Sequence, residues 1–68
     1  MIGGWVRIVV GAGTVDLDAA APVVGFTMEI MDSGPDKVEV RFRSDEHESR
    51  LKADWEAGEF RLDIEEKD

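Results

Sequence analysis

Between Lys37 and Asp68 the chain repeats a two-residue rhythm three times: Val38, Val40 and Phe42, then Leu51, Ala53 and Trp55, then Phe60, Leu62 and Ile64, with polar or charged residues between. Side chains on a strand point to opposite faces in turn, so this rhythm specifies a sheet with one apolar face and one wet face. It dictates shape and leaves chemistry open. The expected class is all-β: a small antiparallel meander of five to six strands, closed as a barrel or packed face to face in a dimer. The alternative is α+β, with a helix over 45–57.

Cross-strand charges set the expected register. With Trp55 opposite Phe60, Asp54 meets Arg61, Lys52 meets Asp63 and Arg50 meets Glu65, all complementary. A four-residue loop, Ser44 to His47, pairs Arg43 with Glu48, Glu39 with Lys52 and Lys37 with Asp54, leaving Arg41 beside Arg50 as the one clash. The helix alternative rests on Asp45 as a cap, Glu48 three residues later and Gly58 as a terminator, but its apolar stripe of His47, Leu51 and Trp55 is too narrow to cover a sheet. Upstream, Val24, Phe26, Met28 and Ile30 form a further inward set. A turn over Asp32 to Asp36 then pairs Glu29 with Lys37 and Met28 with Val38. Trp5 to Val10 forms the first strand, with Trp5 and Val9 on the side opposite Val6, Ile8 and Val10. Val15 and Leu17 suggest a short second strand, and Asp18 to Pro22 one helical turn.

An apolar face this large must close on something, because a soluble monomer tolerates only a few hundred Å² of contiguous apolar patch. At 68 residues the chain is one small domain, 1–68, without a cysteine to staple it, so oligomerisation is the natural further source of stability. No apolar run approaches the roughly 18 residues of a membrane span and no basic leader opens the chain, which leads us to expect a cytoplasmic protein without membrane contact. The net charge of −8 is spread along the sequence, a field that repels phosphate backbones and makes direct nucleic-acid binding improbable.

Candidate chemistry is sparse. Gly11-Ala12-Gly13 lacks the third glycine and the helix of a dinucleotide fingerprint and reads as a turn. Asp45-Glu46-His47-Glu48 gathers three carboxylates and the only imidazole, yet adjacent residues seldom converge on one ion, so a solvated loop is expected and no metal or cofactor. There is no cysteine nucleophile, and Ser33, Ser44 and Ser49 lie in polar, turn-like segments. Met28 and Met31 read as core filling and surface contact. The expected role is a non-catalytic interaction or self-associating domain, with Trp5, Arg7, Val9, Asp45, Glu46, His47 and Glu48 as the partner-binding surface. The alternative is an acidic decoy that fills the basic groove of a nucleic-acid-binding protein; a ligand-binding barrel or enzyme comes third.

Overall fold

Six antiparallel strands make up the chain, and the computed structural model describes all of residues 1–68. Strands β1 (Gly4–Gly11) and β2 (Thr14–Pro22) form a hairpin; β3 (Thr27–Ser33), β4 (Lys37–Arg43), β5 (Glu48–Glu56) and β6 (Glu59–Lys67) form a separate four-stranded sheet in chain order. The class is all-β, and the segment 45–57 is loop and strand, not helix. No helix is present that could cross a membrane.

The later ladders follow the charge pattern. Trp55 faces Phe60, Asp54 faces Arg61, Lys52 faces Asp63 and Arg50 faces Glu65. Across β4 and β5, Arg43 meets Glu48, Glu39 meets Lys52 and Lys37 meets Asp54. Arg41 does stand opposite Arg50, and Glu48 lies between them, 3.9 Å from one guanidinium and 3.8 Å from the other. The β5–β6 turn places Ala57 at φ 51° and Gly58 at φ 78°, both positive as a type I′ turn requires.

Three expectations fail upstream. The β3–β4 register is not Glu29 with Lys37: Met28 faces Phe42, Glu29 faces Arg41, Ile30 faces Val40, and a bulge at Met31 then sets Asp32 against Glu39. Strand β3 runs on through Ser33, leaving only Gly34 to Asp36 as the turn, and either register keeps apolar side chains together, so alternation could not choose between them. Val24 is wholly exposed rather than inward, because 23–26 is the crossover between the two sheets, bending at Gly25 (φ 95°). Asp18 to Pro22 is strand rather than helical turn: Ala19, Ala20 and Ala21 pair with Arg7, Val6 and Trp5, with Asp18 bulged out. Pairing partners on β1 override a weak local helical preference.

Neither sheet closes into a barrel. Instead the hairpin lies across the middle of the four-stranded sheet, burying Val15 with Val38, Val40, Phe42, Leu51 and Ala53, while Val6, Ile8, Leu17, Phe26 and Phe60 pack around them. Close approach requires Gly3 and Gly4. A Cβ on Gly4 would stand 2.5 Å from the Ala21 carbonyl oxygen and 2.7 Å from the Phe42 ring. Three polar ties hold the hairpin along its length: Gly3 N–H donates to Ser49 Oγ (3.0 Å), Val15 N–H to the Pro35 carbonyl (2.9 Å), and the Trp55 indole N–H to the Thr14 carbonyl (2.8 Å).

Adding one methyl at this contact should be costly. Gly4→Ala is expected to destabilise the domain by about 1–3 kcal/mol through overpacking, read as a lower urea midpoint with an unchanged m-value. An unaltered midpoint would mean that the hairpin is not seated on Phe42.

Candidate functional site

The seven residues expected to form one surface fall into two groups, and no hydrogen bond, ion pair or aromatic contact links the groups. Trp5, Arg7 and Val9 lie on the outer face of β1, where the bulge opposite Arg7 leaves alternation intact on the exposed side. Trp5 and Val9 are about half exposed; the Arg7 guanidinium sits 5.9 Å from the Trp5 ring and 3.5 Å from Asp18. At such exposure these contacts organise the side chains more than they stabilise the fold.

The second group surrounds the β4–β5 loop. Ser44 ties it locally: its Oγ accepts from the N–H groups of Glu46 (3.3 Å) and His47 (3.0 Å), and its own N–H donates to the His47 carbonyl (2.8 Å). Asp45 and Glu46 point to solvent, and Glu48 turns to Arg41 and Arg50 on the sheet's outer face. His47 is alone among them in joining a hydrogen-bond network that reaches the buried Ser49, although its Asp68 end is open to solvent. Its Nε2 lies 2.8 Å from Glu66 Oε1 and its Nδ1 2.7 Å from Asp68 Oδ1, with 12% of the side chain exposed and the Phe26 ring edge-on at 6.1 Å. Ser49, fully buried, receives the Gly3 N–H and donates to the same Glu66 oxygen.

Both ring nitrogens face carboxylate oxygens, and only an imidazolium donates from both at once. Hydrogen bonds to Glu66 and then Asp68 raise the His47 pKa above its ordinary 6.5, against the smaller opposing effect of desolvation. The Ser49 hydroxyl, with help from His47, in turn holds the Glu66 carboxyl below the usual range. Ser49, Glu66 and His47 are the residue types of a nucleophilic triad in the wrong order. The carboxylate stands between hydroxyl and imidazole, so the imidazole makes no hydrogen bond to the buried Ser49 oxygen and the relay order of a triad is not met.

Beside this network lies an open cleft of about 320 Å³ lined by Arg43, Ser44, Asp45, Glu46, His47, Glu48, Lys67 and Asp68, without one apolar residue. No three His, Asp or Glu side chains converge as metal ligands. Glu66 and Asp68 carry no sequence signal as site residues, although continuing the Trp55–Phe60 ladder places Glu66 opposite Ser49; Ser33 and Ser49, expected in turn-like segments, lie instead in β3 and β5, with Ser49 fully buried. No protein-family model matches this chain, and no curated protein or solved structure matches it either.

A pH dependence follows from the two shifts. A raised His47 pKa contributes stability that is whole below about pH 6.5 and is lost as pH rises through the folded-state value. The depressed Glu66 pKa contributes above its unfolded value, and that part is lost as pH falls through the folded one. His47→Gln should therefore remove the decline on the alkaline side of the urea-midpoint profile. An unchanged alkaline limb in the variant would show that His47 is not held between these carboxylates.

Proposed function

We propose that this chain is a non-catalytic protein-interaction module that works through the sheet surface its own hairpin leaves uncovered. The observation that supports this most directly is the state of β6. Leu62 and Ile64 sit on the apolar face, level with buried Ala53 and Leu51, yet remain 49% and 51% exposed beside an unpaired strand edge. Met28 and Ile30 are similarly uncovered on the opposite flank, on β3. A two-stranded hairpin is too narrow for a four-stranded sheet. Exposed apolar positions next to free backbone donors and acceptors are what strand-addition partners use: main-chain hydrogen bonds supply affinity, and alternate side chains supply selectivity.

The polar cleft at His47 argues for a structural tie rather than a reaction centre, since both imidazole nitrogens are already engaged. Charge placement weighs against the decoy reading. Seven of the eight basic residues, all but Arg7, lie on the sheet's outer face among nine acids, so that face carries no continuous acidic stripe. A cytoplasmic setting suits the module, since a fold held without disulfides needs no oxidising compartment.

Light scattering over a dilution series, joined to thermal unfolding, tests the self-association form of this reading. Mass should rise above that of one chain as concentration increases, and Tm with it. Raising salt from about one Debye length of 10 Å to one of 3 Å should change the association little, because apolar burial and main-chain pairing carry it. A protein that stays monomeric at every concentration contradicts the reading.

A further inference from the structure

We infer that the occupant of the β6 edge is the β6 edge of a second copy, antiparallel about a two-fold axis through Asp63, so that two four-stranded sheets join into one continuous sheet. The inference rests on the interaction reading above and names the partner.

The two edges of the sheet are not equivalent. Strand β3 is interrupted by the bulge at Met31 and runs into Gly34-Pro35, the kind of irregularity with which proteins blunt an edge. Strand β6 pairs with β5 without a bulge from Lys67 to Glu59 and contains neither glycine nor proline. Glu56 and Glu59 flank a two-residue turn and so bond to each other. Alternation then directs the backbone donors and acceptors of Phe60, Leu62, Ile64 and Glu66 outward, ready for another strand.

Parity and charge select the register. A two-fold pairing must keep the residues of the covered face opposite one another, so the axis falls on a residue and not between two. With the axis at Ile64, Asp63 opposes Glu65 and Arg61 opposes Lys67, each twice, and all four contacts repel. Moving the axis to Leu62 pairs Arg61 with Asp63 but sets Glu59 against Glu65, and the two effects cancel. At Asp63 the whole strand overlaps: Glu59 meets Lys67 and Arg61 meets Glu65, each twice, the only like-charge contact is Asp63 with its own copy on the axis, and Phe60 with Glu66, near the two ends, is the one apolar residue set against a charge. Leu62 then lies opposite the second copy's Ile64, twice, so the four half-exposed side chains become one cluster. The hairpins sit on the same side of the joined sheet. Both remaining free edges are the bulged β3, and association stops at two copies.

Cysteine pairing reads the axis directly, because the chain has no cysteine of its own. Asp63→Cys places two sulfurs at a non-hydrogen-bonded antiparallel pair, where Cα atoms stand about 4.5 Å apart, within disulfide range. Under mild oxidation this variant should form a linked dimer nearly completely, at concentrations where Thr27→Cys, on the β3 edge, shows only the collisional background. Asp63→Asn should tighten the dimer by up to about fivefold by removing the one repulsive contact, a gain that no folding defect can imitate. Comparable linking of the two cysteine variants in a wild-type protein that does self-associate overturns the β6 axis and leaves the interaction reading standing. A wild-type protein that is monomeric throughout removes both.

Discussion

Everything in this fold depends on how closely a two-stranded hairpin can approach a four-stranded sheet. The distance is set by Gly3 and Gly4 against Phe42, where a single Cβ would collide with ring or backbone. At that separation Val15 reaches the centre of the sheet and is fully buried with Val38, Val40 and Phe42. The three polar ties then lie where the backbones meet: Gly3 to Ser49 at one end, Thr14 to Trp55 and Val15 to Pro35 at the other. The packing is non-directional and dominates the energy, while the hydrogen bonds fix where along the sheet the hairpin rests. The His47 network is an extension of the same contact, since Ser49 joins the Gly3 backbone to Glu66 and Glu66 to the imidazolium.

On the other side, charged residues dominate the sheet's solvent face, and their arrangement explains how Arg41 and Arg50 can be neighbours. Arg41 donates to Glu29 on the adjoining strand and thereby lowers that carboxyl's pKa, while Glu48 approaches both guanidinium groups. The Nε atoms of both arginines are buried without a partner. Their remaining nitrogens carry the pairing. Exposed pairs of this kind contribute at most about 1 kcal/mol each, so their effect is chiefly on register.

That distinction decides what was legible in the sequence. Where strands carry complementary charges in alternation, as β4, β5 and β6 do, one register satisfies every outward pair but two, Arg41 with Arg50 and Glu56 with Glu59, and the structure adopts it. Where only apolar alternation is available, as in β3, a slip by an even number of residues leaves the same face greasy. Glu29 then had two basic candidates, Lys37 and Arg41, and the bulge at Met31 has no signature in the residues themselves. The hairpin was half legible. Trp5, Arg7 and Val9 are on the exposed side as alternation requires, but the Ala19 to Ala21 run carries no pattern, and only its pairing with β1 makes it strand. Gly3 and Gly4 read as an unremarkable start, since what demands them is a ring 38 residues away in the chain from Gly4. The loop cluster was found at His47, whereas its true neighbours, Glu66 and Asp68, became visible only by extending a ladder to the end of β6.

Charge placement bears on why an uncovered flank is tolerable in so small a protein. Nine acids and seven bases share the outer face of the sheet, leaving −2 there; the other seven acids, offset by Arg7, place −6 on the hairpin, the β3–β4 turn and the His47 end. The two sum to the full −8. The greater part of the repulsive field therefore lies away from the middle of β6, at the tips and on the hairpin's outer side. Encounters through those regions are discouraged, while an approach through the β6 edge meets mixed charge, three acids and two bases on its outward side, and an apolar strip. A protein with this distribution keeps its copies dispersed in most orientations and leaves one in which the sheet can be completed.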